Sequence, residues 1–273
     1  MKKNKITVSS ILKGLFIAVV IFILYLPIII IFVLSIDSSR TGNTFTGVTF
    51  EWYKEIFINK SLYMSIITSF AVALSATVIS AFLGTFAAIG IHALDKKARE
   101  KVILLNNIPV LNAEIVTGIS VMIICSFLIP IIPDFFGYWT LLIAHVFFTM
   151  PYVILSVIPK LNELDPNLYD ATTDLGVRPF KALWKIVIPS IDTGIVSGSL
   201  LAFTLSIDDF VISYFTSGNG VTNFSNWIYV RLGRRNFTPA AYAFNSLLTI
   251  VILLIVLVPQ FKKSKSKKNT RSL

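Results

Sequence analysis

Apolar residues fall in long, nearly uninterrupted runs separated by short polar segments. A helix needs about 20 apolar residues to cross a hydrocarbon core of about 30 Å. Six runs reach that length, at roughly 12–36, 64–91, 102–129, 138–158, 186–206 and 239–258. The pattern predicts an all-α, polytopic membrane protein with six transmembrane helices in a single domain spanning 1–273. Between the fourth and fifth runs lies the one long polar segment with helical periodicity, Asp165–Pro189. There Leu168, Ala171, Thr172 and Leu175 share a face, Gly176 ends that helix, and Arg178-Pro179 opens a second short one bearing Phe180, Leu183, Trp184 and Val187.

The individual runs differ. Pro27 interrupts the first, which a membrane helix tolerates when neighbours satisfy the freed carbonyl. The second carries two stripes of small residues at every fourth position, Ser69 to Thr85 and Ala76 to Ala88. Such stripes let backbones approach closely and predict a central helix packed on both sides, one of them open to a second subunit. The third begins with Asn106, Asn107, Pro109, Asn112 and Glu114. A carboxylate at mid-bilayer costs about 2.5–3.5 kcal/mol, so Glu114 is expected to face a water-filled cavity or a bonding partner. The fourth starts on an interfacial Gly137-Tyr138-Trp139, is kinked by Pro151, and holds His145 with no metal-ligand spacing around it. The fifth runs through Ser206 into Asp208-Asp209 at its outer mouth. Adjacent like charges call for a compensating cation, supplied either by a bound substrate or by Arg231, Arg234 or Arg235.

Charge fixes the expected topology. Clusters at 2–13, 96–101, 160–185 and 262–271 hold eighteen of the 24 Lys and Arg, against six in the alternate loops. The positive-inside rule then places both termini and the loop 160–189 in the cytoplasm, with 207–238 external and 261–273 a basic cytoplasmic tail. The same flanking positions account for the net charge of +10 without nucleic acid. The chain is 55% hydrophobic and 14% charged, against about 25% charged in soluble domains. Its single cysteine, Cys125, excludes an intrachain disulfide. The first run is too long, and lacks the small-residue site, for a cleaved signal peptide. In the first outer segment, Phe50-Glu51-Trp52-Tyr53 reads as an interfacial aromatic cluster, with contact to an external partner or substrate as the other reading.

Within Asp165–Pro189, the residues Asp170, Ala171, Thr172, Gly176, Ile186, Ile188 and Pro189 resemble, in spacing throughout, the Glu-Ala-Ala loop of type I ABC-importer permeases. Asp, Thr and Ile stand where that motif has Glu, Ala and Leu. The Ser-Ile-Asp-Asp-Phe segment at 206–210, Trp52-Tyr53 and Glu114-Ile115 further resemble the spermidine/putrescine permeases of the PotC type, over nearly the whole chain. The resemblance implies a type I ABC-importer fold and one permease subunit of an ATP-driven polyamine importer. It also implies a second, PotB-like permease, two ATP-binding-cassette ATPase subunits and an external polyamine-binding protein as companions. Asp170, Ala171, Thr172, Gly176, Arg178, Pro179, Ile186 and Pro189 would then couple to the ATPase. Asp208, Asp209, Glu114, Trp52, Tyr53 and Ser206 would line the substrate pathway, with cargo moved by alternating access.

No GxxxxGK[ST], HExxH, CxxC or GxSxG pattern occurs, so this chain is expected to be neither ATPase nor hydrolase nor redox enzyme. It is expected to bind no cofactor or metal, with ATP and magnesium used by the partner subunit. A permease for iron, sulfate, thiamine or an organic phosphonate is the alternative cargo reading. A membrane scaffold or membrane enzyme is the alternative class.

Overall fold

The computed structural model describes residues 8–39, 45–132, 135–165, 178–218, 220–233 and 238–269. In chain order the helices are α1 (Val8–Ile36), α2 (Glu51–Ile58), α3 (Lys60–His92), α4 (Lys96–Leu111), α5 (Glu114–Ser126) and α6 (Tyr138–Asn162). There follow α7 (Pro179–Ala182, a π-helical turn Leu183–Val187, then Ile188–Ser190), α8 (Asp192–Asp208), α9 (Val211–Thr216), α10 (Phe224–Gly233) and α11 (Ala240–Asn269). Leu12–Ile36, Lys60–His92 and Tyr138–Asn162 are long and apolar enough to cross a membrane singly. Two bent pairs, α4 with α5 and α7 with α8, raise the number to five, and Ala240–Leu254 is a shorter apolar helix. Each of the six predicted runs thus has a helical counterpart.

Two of those runs are broken rather than continuous. The expected helix over 102–129 bends by 101° between α4 and α5, where Asn112 and Ala113 are both extended. Pro109 removes a backbone donor just before the break. The expected helix over 186–206 bends by 70° at Ile191, so α8 starts at Asp192 and runs to Asp208. Glu114 and Asp192 each stand in the first turn of the new helix, where the exposed amides favour an acid. The segment 207–238, expected as an external loop, contains the helices α9 and α10. Between them the chain turns at Gly218, whose φ of +64° suits glycine.

The chain divides into two compact units, Met1–Tyr63 with Arg231–Leu273, and Met64–Val230. In the first, α1 and α2 each pack on α11. The outer segment is tied down by an antiparallel bridge between Asp37 and Val48. The buried Asp37 carboxylate accepts from the amides of Thr46 at 3.0 Å and Ser39 at 3.1 Å. The Thr46 amide leads in holding this carboxyl below the usual range, against the opposing effect of burial.

In the second unit, α6 is the hub. Ala88, Val153, Ile154, Val157, Ile158 and Ile191 form its main apolar core. From α3, Ser80 bonds Thr149 at 2.8 Å, and a Cβ on Gly84 would lie 2.9 Å from that of Val153, so this small-residue stripe packs on α6. From α8, Gly194, Gly198, Ala202 and Ser206 are all buried at four-residue spacing. A Cβ on Gly198 would meet the Val153 Cα at 2.9 Å. We predict that Gly198→Val, which must push this backbone contact apart, destabilises the protein by about 1–3 kcal/mol, read as a lower melting midpoint in detergent. Gly90, whose Cβ would meet nothing within 4 Å, is the control position.

Candidate functional site

The site forms where α8 ends. Asp209 leaves the helix in an extended conformation, and α9 restarts two residues later. The carboxylate of Asp209 folds forward onto the new helix start. Its Oδ2 accepts from the Ser213 amide and the Ser213 hydroxyl, both at 2.7 Å, and its Oδ1 from the Ile212 amide at 3.3 Å. A carboxylate that satisfies otherwise orphaned amides in this way acts as a helix cap. Asn223, just before α10, donates from Nδ2 to the Asp209 carbonyl at 3.1 Å and to Ser213 Oγ at 2.8 Å. Its own Oδ1 accepts the Asn226 amide at 3.0 Å. The elbow between α8 and α9 is therefore held by a buried polar network of Asp209, Ser213 and Asn223.

Asp208 is treated differently. It is exposed, whereas Asp209 is only 8% exposed. Asp208 lines an open cleft of about 450 Å³ together with Glu114, Asn112, Thr117, Tyr152 and Thr204, with Phe148 and Phe210 as aromatic wall. The cleft exists because of the α4–α5 bend and the separate break between α8 and α9. The α4–α5 bend presents Asn112 and Glu114, and the α8–α9 elbow presents Asp208 and Phe210. Among the described residues its lining includes acids and no Lys or Arg. Phe210 is backed by Tyr229 and Tyr214, with ring centroids 4.7 and 5.8 Å away. Both tyrosines are about half exposed.

The structure thus brings Asp208, Asp209 and Glu114 to one cleft. Ser206 is buried and is not among its lining residues; its hydroxyl lies 2.6 Å from His145 Nδ1. Trp52 and Tyr53 belong to the other unit. Trp52 is buried and donates its indole N–H to the Asp37 carbonyl at 2.6 Å. The Tyr53 hydroxyl lies 2.9 Å from Ser35 Oγ and 3.1 Å from Ser246 Oγ. Of the expected ATPase-coupling residues, Asp170, Ala171, Thr172 and Gly176 lie outside the described residues. Arg178 precedes α7 as an exposed residue, Pro179 opens that helix, and Ile186 and Pro189 fall within it. Phe180 and Trp184 form an aromatic ridge with Phe86 and Phe82 of α3, at centroid spacings of 4.8 to 6.2 Å.

Sequence reasoning missed Asn223, Ser213 and Phe210 as parts of the site. The only signal for Asn223 was a capping residue before an apolar stretch. His145 is the packed histidine that its isolated position predicts, and it is bonded on both ring nitrogens.

The sequence pattern of the family described as "Binding-protein-dependent transport system inner membrane component" matches residues 82–263. The chain is 31% identical to the spermidine/putrescine transport system permease protein PotC of Haemophilus influenzae, over 93% of this chain and 97% of that one. It is 32% identical to the putrescine transport system permease protein PotI of Escherichia coli, over 77% and 76% of the two chains. The crystal structure of a bacterial ABC transporter involved in the import of the acidic polysaccharide alginate contains a chain that superposes with a TM-score of 0.69. That match covers 92% of this chain and 95% of that one, at 14% identity, a likeness of fold alone. The helical architecture, the apolar spans and the family match agree: this chain is a multi-pass membrane protein belonging to the family of binding-protein-dependent transport system inner membrane components.

Proposed function

We propose that the chain is one permease subunit of an ATP-driven importer for polyamines, and that the cleft at the α8–α9 elbow is where the cargo cation passes. The observation carrying this reading is the cleft's charge: among the described residues, Glu114, Asp208 and Asp209 line it with no Lys or Arg. Spermidine and putrescine are linear polycations, and separated carboxylates can meet successive ammonium groups. An anionic cargo such as sulfate or a phosphonate would require the opposite lining. The names of the two relatives support the same cargo class.

In this reading Asp208 and Glu114 contact the cargo, and Asp209 shapes the elbow. Phe210 supplies a cation–π surface of about 0.5–2 kcal/mol. Trp52 and Tyr53 brace the outer segment. A transport site must also release its cargo, which suits several weak contacts rather than one strong one. Both termini and the 160–189 loop lie in the cytoplasm, where Asp170 to Pro189 receive the motion of two ATPase subunits. A second, PotB-like permease completes the pathway, and an external binding protein delivers the polyamine. The chain itself binds no cofactor; ATP and magnesium are held by the ATPase.

The test is uptake into proteoliposomes holding the complete transporter, with labelled spermidine loaded on the binding protein. Accumulation should require ATP and the ATPase subunits. It should be displaced by unlabelled putrescine or spermidine and be indifferent to sulfate and thiamine at the same concentration. Displacement by sulfate or thiamine instead would reject the polyamine reading.

A further inference from the structure

His145 is 1% exposed and does not line the cleft, yet its two ring nitrogens are bonded to the two helices that meet at the elbow. Nδ1 lies 2.6 Å from Ser206 Oγ in the last turn of α8, and Nε2 lies 2.9 Å from Ser213 Oγ on α9.

Donor and acceptor counting fixes the arrangement. The Ser213 hydroxyl has one proton, and it goes to Asp209 Oδ2. One of its lone pairs takes the Asn223 Nδ2–H. The other can only accept, so the proton between Ser213 and His145 sits on Nε2. A neutral imidazole then leaves Nδ1 bare to accept the Ser206 O–H. The Asp209 carboxylate, the charged group facing the ring, lies 3.6 Å from Nε2, beyond direct hydrogen bonding. The ring edge also packs on Phe148, with centroids 5.3 Å apart, and Phe148 is part of the cleft wall.

The elbow needs such a connection. Asp209 directs its carboxylate entirely toward Ile212 and Ser213, and Asn223 holds the Asp209 carbonyl and Ser213. These bonds fix the start of α9. The path Ser206–His145–Ser213 is what ties the end of α8 across the break, two residues before Asp208. Upstream, Gly194, Gly198 and Ala202 hold the same face of α8 close against α6, so Ser206 arrives at His145 in a fixed register.

The geometry points to His145 as a positioning residue: its imidazole is a rigid strut across the α8–α9 break that sets where the Asp208 carboxylate stands in the cleft. This rests on the reading that Asp208 meets the cargo. An imidazole suits the task because its nitrogens sit on opposite edges of a rigid ring. A glutamine side chain can replace the Nε2 donor and an asparagine the Nδ1 acceptor, but neither amide spans both.

A double-mutant cycle on the complete reconstituted transporter tests the strut, with labelled spermidine delivered by the binding protein. His145→Gln should lower initial uptake about tenfold, the scale of one buried hydrogen bond left unmade. In an Asp208→Asn background the same change should lower it by less than about twofold, because its effect runs through Asp208. His145→Asn, which keeps the other bond, should show the same dependence and serves where His145→Gln does not assemble. Equal fold-losses in both backgrounds would mean that His145 only stabilises the helix packing, and would overturn the strut alone. So would undiminished uptake by His145→Gln in the native background. Unchanged uptake by Asp208→Asn by itself would overturn the cleft reading, and the strut with it.

Discussion

Asp209→Ala is expected to destabilise the protein by about 2–5 kcal/mol, the largest stability loss of any single substitution considered. The loss follows from what the side chain does. Its two oxygens accept from two backbone amides and one hydroxyl at 2.7 to 3.3 Å in a site 8% exposed. A buried donor without an acceptor costs about 1–3 kcal/mol, and removing one member of a buried charged network sits at the upper end of single-mutant effects. The loss also spreads, because Ser213 is shared with His145 and Asn223. Asp209→Asn should be milder, since its carbonyl oxygen can still accept from Ser213 while its amide faces another donor. Melting midpoints of the detergent-solubilised transporter should therefore rank native above Asn above Ala. Equal midpoints for all three would show that the carboxylate does not hold the elbow.

Asp208→Asn should fail in the opposite way. The Asp208 side chain makes no hydrogen bond or ion pair among the described residues, and it faces the cleft. Substitutions at such positions usually change stability by about 0.5 kcal/mol or less. The melting midpoint should therefore stay at the native value. A charge-assisted contact to an ammonium group is worth about 1.5–3 kcal/mol, so its removal should lower polyamine uptake about 10- to 100-fold. Asp208 and Asp209 are neighbours in sequence, yet one is expected to carry folding and the other transport. The difference arises because the helix ends between them. Asp208 is the last residue of α8, and Asp209 turns its carboxylate onto α9.

That division was not legible in the sequence. An Asp-Asp pair within an apolar run announces a functional position, but pattern alone cannot say which carboxylate is consumed by capping. The apolar runs were legible, because length and hydropathy report directly on the bilayer as solvent. The breaks within them were legible only in part. Pro109, Asn112 and Glu114 signalled that the third run was unusual, and the cleft-facing Glu114 satisfies the demand that an acid there find water or a partner. The 101° bend itself depends on two extended residues, Asn112 and Ala113, and alanine carries no breaking signal. Ile191, where the fifth run bends, carries none either. Trp52 was legible as a special aromatic but not in its bonding partner. Its indole N–H meets a carbonyl fifteen residues earlier, a contact made by the fold of the outer segment. His145 illustrates the same limit from the other side. A lone histidine is correctly read as packed, but its bonds to Ser206 and Ser213 span more than sixty residues and exist only once α6, α8 and α9 are assembled.

Under the proposed function, the negative charge of Asp208 at the elbow carries a polyamine through the cleft. The most direct measurement is the initial rate of ATP-driven spermidine uptake by Asp208→Asn beside that of Asp208→Glu, in the same reconstituted transporter. Glu, which keeps the charge, should retain uptake within about threefold of native, while Asn, which keeps the shape, should lose about tenfold or more. Equal uptake by the two variants would show that the charge of Asp208 does not carry the cargo.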